Sequence, residues 1–330
     1  MVIQMILSQH YNLYISSCHE NGGIYHCNLN KNGEIEICDK LSLPKVMYTV
    51  IKNNSLYAIL RSPFSENNDS GIVRIDLCEN GSMRTIGEIH STKGEVGCHL
   101  YADNDDLYAV NYISGSVIKL PDTLVIHKGK SVNITRQNAP HTHYINVSPN
   151  GKYIYVTDLG TDKIYTYDKN LNCINTTSAS LGAGPRHLAF SDDGRYAFCV
   201  NELSSTVAMY KISDDKLILV DEKSTIFRGN PESTAAAIRC KGKFVYASNR
   251  GDDSVVEFSF DEKGLKQEKR YDCGGKSPRD FDVIEDLIIC TNELSNNVSV
   301  INKNGEILSE LKDIANPLCV SYQPNYKENI

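Results

Sequence analysis

Histidine, arginine and glutamate residues recur at two positions of a repeated segment, and these side chains can move protons and bind anions. One set comes just before or within a short extended stretch: Cys98-His99, His141-Thr142-His143, Pro185-Arg186-His187 and Pro278-Arg279-Asp280. The other comes at the end of the next stretch: Asn111-Tyr112, Asp158-Leu159-Gly160, Asn201-Glu202, Asn249-Arg250 and Asn292-Glu293. Both sets are richer in His, Arg and Glu than structural turns require. The pattern indicates a polar site rather than ordinary surface loops.

Several other kinds of chemistry are not indicated. The chain has no GxSxG elbow, no P-loop and no GxGxxG fingerprint, so neither a serine nucleophile nor a nucleotide cradle is predicted. The eleven cysteines are scattered, and none forms a CxxC pair. Free thiols in a reducing compartment fit this spacing better than disulfides or zinc, and no metal or cofactor is expected. A net charge of −7 argues against a nucleic-acid partner.

The elements that must position these residues form a sevenfold repeat. Its core is an aromatic and β-branched stretch that ends in a small polar cluster, as in NLYISS, YIYVTD and FVYASNR. The third residues of the seven copies are Tyr14, Tyr57, Tyr108, Tyr155, Phe198, Tyr246 and Ile289. Successive copies are 43, 51, 47, 43, 48 and 43 residues apart. A period of 40 to 50 residues is typical of propeller blades.

Short strands separated by turns such as PNGK, DDGR and CKGK predict antiparallel units of three or four strands. Such units bury both faces when seven of them close into a ring, so the predicted fold is an all-β, seven-bladed β-propeller formed by one domain over residues 1–330. The tail NPLCVSYQ repeats the first-strand pattern, whereas the N-terminus begins at the second-strand stage. We therefore expect the C-terminal strand to complete the first blade. The alternatives are an open β-solenoid and two smaller β domains, but the continuous spacing leaves no linker.

The innermost strands of a propeller line a central channel, so the two polar sets are expected to converge at one mouth of it. No run of about 20 apolar residues is present and the N-terminus lacks a basic leader, so we expect a cytoplasmic protein without a membrane partner. No heptad seam or apolar helix favours oligomerisation, and a monomer is expected.

The segments HTHYINVSPNGKYIYVTDLGTDKIYTYD, GAGPRHLAFSDDGRYAFCVNELSSTVAMY, ASNRGDDSV and SPRDF occur in order at matching blade offsets. With CHLYADNDDLYAVNYISGSV, they resemble the bacterial seven-bladed lactonase family that includes the propeller type of 6-phosphogluconolactonase. The chain is also similar to the fungal carboxy-muconate lactonising enzymes. The resemblance runs from about residue 10 to 322, and it implies a metal-independent hydrolytic or lactonising site acting on a small anionic lactone or sugar acid.

Matched position by position, the resemblance implies that Glu202, His143 and Arg186 are catalytic. It implies that Arg250, His99 and Asn111 bind substrate. Either Glu202 or His143 would be the general base, and the arginines would stabilise an oxyanion or clamp a carboxylate or phosphate. The first two blades match less well, and Glu293 stands where many relatives carry Gln.

Structural roles are the alternative for several of these polar residues. His141 and His187 are expected to be structural, Arg186 could bond carbonyls of the adjacent blade, and Glu202 or Glu293 could bridge blades. Arg279 and Asp280 are predicted to form an ion pair with each other. The acidic turns Asn104-Asp105-Asp106 and Asp192-Asp193 lack EF-hand spacing and are predicted to be solvated hairpin tips.

Three functions remain open at this point. The first is a lactone hydrolase such as a 6-phosphogluconolactonase. The second is a cycloisomerase that lactonises a muconate-type dicarboxylate. The third is a non-catalytic propeller that binds a partner on its face, because a fold alone does not establish an enzyme.

Overall fold

A computed structural model describes residues 10–103, 106–226 and 232–323, and within these ranges the regular structure consists of 28 β-strands. They form seven antiparallel sheets of four strands each, which confirms the seven-bladed β-propeller. No helix able to span a bilayer occurs in these ranges.

The strands are given blade by blade, in chain order. Blade 1 contains β1 (His10–Ser17), β2 (Gly23–Asn30), β3 (Ile35–Leu41) and, from the end of the chain, β28 (Pro317–Gln323). Blade 2 contains β4 (Val46–Lys52), β5 (Ser55–Leu60), β6 (Asp69–Leu77) and β7 (Met83–Glu95). Blade 3 contains β8 (Gly97–Ala102), β9 (Leu107–Asn111), β10 (Ser116–Lys119) and β11 (Thr123–Ile126). Blade 4 contains β12 (Thr142–Val147), β13 (Ile154–Asp158), β14 (Lys163–Tyr167) and β15 (Cys173–Ser178).

The remaining three blades follow the same order. Blade 5 contains β16 (Pro185–Phe190), β17 (Tyr196–Asn201), β18 (Thr206–Ser213) and β19 (Lys216–Ser224). Blade 6 contains β20 (Thr234–Lys241), β21 (Phe244–Arg250), β22 (Ser254–Asp261) and β23 (Gly264–Asp272). Blade 7 contains β24 (Pro278–Ile284), β25 (Leu287–Asn292), β26 (Asn297–Asn302) and β27 (Ile307–Leu311).

The core lies between neighbouring blades rather than inside any one of them. Phe198 and Val200 of blade 5, for example, belong to the same buried cluster as Val245 and Phe258 of blade 6. The second strands β17 and β25 are buried along their whole length, whereas the outermost strand β15 is mostly exposed. This gradient explains why the aromatic and β-branched stretches of the repeat are second strands, since these strands face a blade on both sides.

The two ends of the chain close the ring in blade 1. Strand β28 pairs antiparallel with β1, and Ile15 lies opposite Val320 while Leu13 lies opposite Tyr322. The predicted completion of the first blade by the C-terminal strand is therefore confirmed. The pairing covers an otherwise open edge of β1 with backbone hydrogen bonds.

Each innermost strand carries a β-bulge near its beginning. In six blades one residue has no partner on the second strand, and in blade 6 both Ala236 and Ala237 are skipped. The single bulged residues are Leu318, Met47, Cys98, His143, Arg186 and Arg279. A bulge leaves one residue without a partner on the adjacent strand and changes the direction of its side chain. In successive blades, the side chain at this equivalent position is therefore turned toward the channel.

Candidate functional site

The channel opens at two ends, and the bulges lie at one of them. We call the end where the inner strands begin the N-terminal mouth and the end where they finish the C-terminal mouth. All six single bulged residues line a cavity just inside the N-terminal mouth, together with Tyr48, His187 and Asp280. The cavity offers about 10 Å³ to the centre of a water molecule, which is room for about one water.

A second layer of side chains lies next to the bulges, at the residue that follows each second strand. The backbone N–H of Glu202 donates to the carbonyl of Gly184 at 2.7 Å, and that of Tyr112 donates to Val96 at 2.9 Å. The same bond joins Glu293 to Ser277 at 3.0 Å. In these blades the bond ties the end of the second strand to the start of the inner strand, which brings Glu202 beside Arg186.

Glu202 is the centre of the site, because three guanidinium groups converge on its buried carboxylate. Its Oε2 accepts from Arg186 Nε at 3.1 Å and lies 3.1 Å from Arg250 Nη2, and its Oε1 accepts from Arg136 Nη2 at 2.5 Å. Burial opposes ionisation of Glu202. The attraction of Arg250, Arg186 and the other nearby positive groups is stronger and holds the pKa of Glu202 well below its usual range.

Arg186 and Arg250 are held from both sides. Arg186 Nη1 donates to the carbonyl of Ala236 in the adjacent blade at 2.7 Å and lies 3.2 Å from His187 Nε2. Arg250 Nη2 lies 3.4 Å from the carbonyl of Ala235, while its buried Nε has no hydrogen-bond partner. Burial and the repulsion of Arg250 lower the pKa of Arg186 to about 10, which leaves the guanidinium charged at neutral pH. The bond to a carbonyl of the adjacent blade, which was the structural alternative for Arg186, is present and coexists with the Glu202 contact.

His143 supplies a neutral imidazole at the same mouth. It is buried, its Nδ1 has no hydrogen-bond partner, and its ring lies 5.6 Å from that of Tyr112 and 5.2 Å from that of His187. Burial, reinforced by Arg186, lowers the pKa of His143 well below the ordinary value. The unpaired nitrogen of an uncharged ring can accept a proton.

His99 lies one residue beyond the bulge of its strand, deeper in the channel than the Glu202 cluster. Its ring contacts Tyr48 at 4.3 Å, Tyr144 at 4.4 Å and His187 at 5.3 Å, and it also lines the cavity at the C-terminal mouth. The structure therefore does not bring His99 into contact with Glu202. His187 occupies the corresponding position in blade 5, between the two other channel histidines.

The side-chain amide of Asn111 joins two neighbouring blades and makes no contact with the Glu202 cluster. Its buried amide donates to the carbonyl of Thr92 at 3.1 Å and to Ser116 Oγ at 3.0 Å, and its Oδ1 accepts from the Thr92 hydroxyl at 2.7 Å. Asn249 makes the same set of bonds in blade 6. The asparagine at the end of these second strands thus joins the third strand of its own blade to the end of the outermost strand of the preceding blade. The amide of Asn111 is used in these bonds, and nothing in the structure supports substrate binding by Asn111.

The predicted ion pair between Arg279 and Asp280 is wrong. Arg279 is bulged toward the N-terminal mouth and pairs with Glu293 at 3.3 Å, whereas Asp280 pairs with Arg239 at 2.9 Å. The bulge separates the two neighbours, because it directs Arg279 toward the second layer and leaves Asp280 with the strand that follows.

The remaining structural expectations can be placed as well. His141 Nδ1 lies 3.0 Å from the carbonyl of Tyr112, and the two rings stack at 4.4 Å, in keeping with a structural histidine. Asp193 caps an exposed hairpin tip with Arg195, as predicted. Residues 104 and 105 of the other acidic turn lie outside the described residues.

Sequence reasoning missed Arg136. It lies in the connection between β11 and β12, residues 127–141, which is longer than most connections between strands. The length of this connection, directly before the HTH segment, was the available signal. Within the described ranges no group of three or more His, Cys, Asp or Glu residues could hold a metal ion.

Comparisons with known proteins agree with this architecture. The family model described as "Lactonase, 7-bladed beta-propeller" matches residues 12–322. An uncharacterized protein of Staphylococcus aureus strain USA300 is 32% identical over 323 residues, which cover 89% of this chain and 93% of that protein.

Two solved structures share the fold across nearly the whole chain. A Bacteroides fragilis protein, provisionally assigned as a 6-phosphogluconolactonase, is 21% identical with a TM-score of 0.86, covering 98% of this chain and 100% of that one. The Pseudomonas aeruginosa periplasmic gluconolactonase is 22% identical with a TM-score of 0.84, covering 95% and 99%. With the family model matched over almost all of the described blades, the chain belongs to the seven-bladed β-propeller lactonase family.

Proposed function

We propose that this protein hydrolyses a small anionic lactone, and that 6-phospho-D-glucono-1,5-lactone is the first substrate to test. The observation that carries the proposal is the convergence of three guanidinium groups on one buried carboxylate beside a neutral histidine. One carboxylate balances only one of the three positive charges. The site is therefore charged to receive an anion, and family membership supports a lactone as that ligand.

In the proposed reaction, His143 takes a proton from a water molecule as the water oxygen adds to the lactone carbonyl. The carbonyl oxygen becomes an oxyanion, which Arg186 and Arg250 stabilise as fixed charges. The oxyanion then collapses and the ring C–O bond breaks. The ring oxygen leaves with the proton held by His143, so the product is a hydroxy acid and the imidazole is neutral again.

Glu202 acts in this scheme by holding the arginines rather than by taking the proton. Its oxygens already accept from three guanidinium groups, whereas the Nδ1 atom of His143 has no partner and is open to a proton. Without the carboxylate, Arg186 and Arg250 would repel each other and lose their common orientation.

The test follows ring opening of freshly prepared 6-phosphogluconolactone above its spontaneous hydrolysis. Arg186→Ala should lower kcat/KM by about 100-fold or more, because it removes a fixed positive charge from the oxyanion site. Glu202→Gln should cause a loss of similar size, because it releases Arg186 and Arg250 from their common orientation. Arg195→Gln is the matched control, since Arg195 is an exposed arginine at a hairpin tip. Wild-type protein that gives no acceleration would reject this substrate, and unchanged rates in both variants would reject the site.

A further inference from the structure

Arg136 differs from the other two arginines on Glu202 in how it is held. Its side chain is 41% exposed, whereas those of Arg186 and Arg250 are 3% and 17% exposed. Arg186 and Arg250 also contact backbone carbonyls of blade 6. Among the described residues, Arg136 Nη2 has one further hydrogen-bond partner besides Glu202, the Tyr112 hydroxyl at 3.4 Å. Of the three, Arg136 is the guanidinium that solvent and an incoming ligand reach first.

The backbone that carries Arg136 is nevertheless fixed, because its neighbour Gln137 is a buried anchor. The Gln137 amide donates to the carbonyl of Leu159 at 2.8 Å and to Asp162 Oδ1 at 2.7 Å. Its Oε1 accepts from the backbone N–H of Asn133 at 3.1 Å. A half-exposed arginine on an anchored backbone can exchange one partner for another by rotating its side chain, without movement of the segment.

The charges around Glu202 give this exchange a reason. Its Oε2 keeps two guanidinium partners if Arg136 leaves, so the carboxylate stays paired. Arg136 then brings a full positive charge to whatever group replaces Oε1. A phosphate or carboxylate can accept from the guanidinium in bidentate fashion, whereas a hydroxyl cannot.

We propose that Arg136 determines substrate specificity by transferring its guanidinium from Glu202 to an anionic substituent of the lactone. The proposal rests on the proposed lactone hydrolysis. Arg136 reads the substituent, while Arg186 and Arg250 remain with Glu202 at the reacting carbonyl. The ligand class is a lactone that carries a phosphate or a carboxylate away from its ring ester.

The test compares substrates that differ only in the substituent. Kinetics are measured for 6-phosphogluconolactone and for unphosphorylated glucono-1,5-lactone, with wild type, Arg136→Gln and Arg136→Lys. Arg136→Gln should raise KM for the phosphorylated lactone by about 10- to 100-fold, because it removes one charge-assisted hydrogen-bonded contact. The loss should be smaller for the unphosphorylated lactone, so the preference for the phosphorylated substrate falls. Arg136→Lys should restore part of this preference because it keeps the charge. Glucaro-1,4-lactone, which carries a carboxylate, shows whether phosphate or carboxylate is preferred.

A binding measurement separates this inference from the proposed reaction. Calorimetry with 6-phosphogluconate and gluconate requires no turnover, and Arg195→Gln serves as the control variant. If the wild type hydrolyses neither lactone but binds 6-phosphogluconate more tightly than gluconate, and only Arg136→Gln removes the difference, the reaction is wrong and the specificity role stands. Equal losses for the phosphorylated and unphosphorylated compounds, or no preference in the wild type, would overturn the role of Arg136.

Discussion

The two mouths of the channel carry opposite charge patterns on the same set of strands. At the N-terminal mouth, Arg136, Arg186 and Arg250 share the single carboxylate of Glu202. Toward the C-terminal mouth the proportions are reversed, because Arg239 pairs with two carboxylates, that of Asp280 at 2.9 Å, which also lines the N-terminal cavity, and that of Asp282 at 3.3 Å. Positive charge exceeds negative charge in the Glu202 cluster, and negative charge exceeds positive charge in the Arg239 cluster.

The two clusters also differ in how completely their polar atoms are bonded. Arg239 donates to Asp280, to Asp282 and to the carbonyl of Ile238, so its guanidinium is engaged on three sides. In the Glu202 cluster, by contrast, the buried Arg250 Nε has no partner among the described residues, and neither does Nδ1 of the nearby His143. Buried polar groups are normally satisfied in a cluster that only holds the fold together. We therefore expect the Arg239 cluster to contribute mainly to stability, and the Glu202 cluster to stay open to a ligand as proposed.

The largest effect on stability is expected at the C-terminal mouth. Arg239→Gln leaves the buried Asp280 and its neighbour Asp282 without a cation, and breaking such a pair costs about 3–5 kcal/mol of unfolding free energy. Burial and the proximity of Asp280 already raise the pKa of Asp282. Urea unfolding measures the change. The control is Arg279→Gln, which breaks the more exposed pair with Glu293 and should lower the unfolding free energy by about 1 kcal/mol or less. Equal losses in the two variants would contradict a special role for the Arg239 cluster.

The converse is expected for Arg250→Gln at the N-terminal mouth. This change relieves repulsion between Arg250 and Arg186, so the unfolding free energy should change by less than about 1 kcal/mol. Catalysis should nevertheless fall about 100-fold, because a fixed charge is lost from the oxyanion site. Urea unfolding and lactone kinetics on the same preparation test both halves. A stability loss as large as that of Arg239→Gln would make the N-terminal arginines structural and remove the contrast between the mouths.

A smaller effect per residue is expected from the three channel histidines when the pH is lowered. Burial lowers the pKa of His99, His143 and His187 well below the ordinary value of 6.5. Below pH 6.5 the unfolded chain therefore binds protons that the folded chain does not, and folding stability falls as the pH falls. Each histidine contributes up to about 1.4 kcal/mol per pH unit in this window. The unfolding free energy is measured from pH 7.5 to 5.0 in wild type and in His99→Gln. Its dependence on pH should be shallower in His99→Gln, because the variant binds one proton fewer on unfolding. Identical slopes would show that His99 is protonated in the folded state.

Much of the architecture could be predicted from the sequence because it depends on periodic patterns. The spacing of seven aromatic stretches predicts the number of blades, and the first-strand pattern of the tail predicts the pairing of β28 with β1. Repeat position also predicts that His143, Arg186, Glu202 and Arg250 share one mouth. These inferences succeed because equivalent positions in a closed ring are neighbours in space.

The sequence was a poorer guide where the fold departs from a uniform repeat or where a side chain bonds to the neighbouring blade. The opposite partners of Arg279 and Asp280 follow from a bulge, which is a backbone feature that the residue types do not reveal. Asn111 resembles a pocket residue by position, but its amide is used by Thr92 and Ser116. Arg136 lies in an irregular connection outside the repeat, so no periodic argument could find it.

The bulge repeated in every inner strand has a consequence for how members of such a fold can diverge. A bulged residue has no cross-strand partner, so its side chain can be replaced without changing the register of any sheet. Around one ring, blades 1 and 2 carry Leu318 and Met47 at this place, while blades 4 and 5 carry His143 and Arg186. The propeller thus keeps a set of interchangeable positions, at least one in each blade, at which new reactivity can be introduced while the scaffold stays the same.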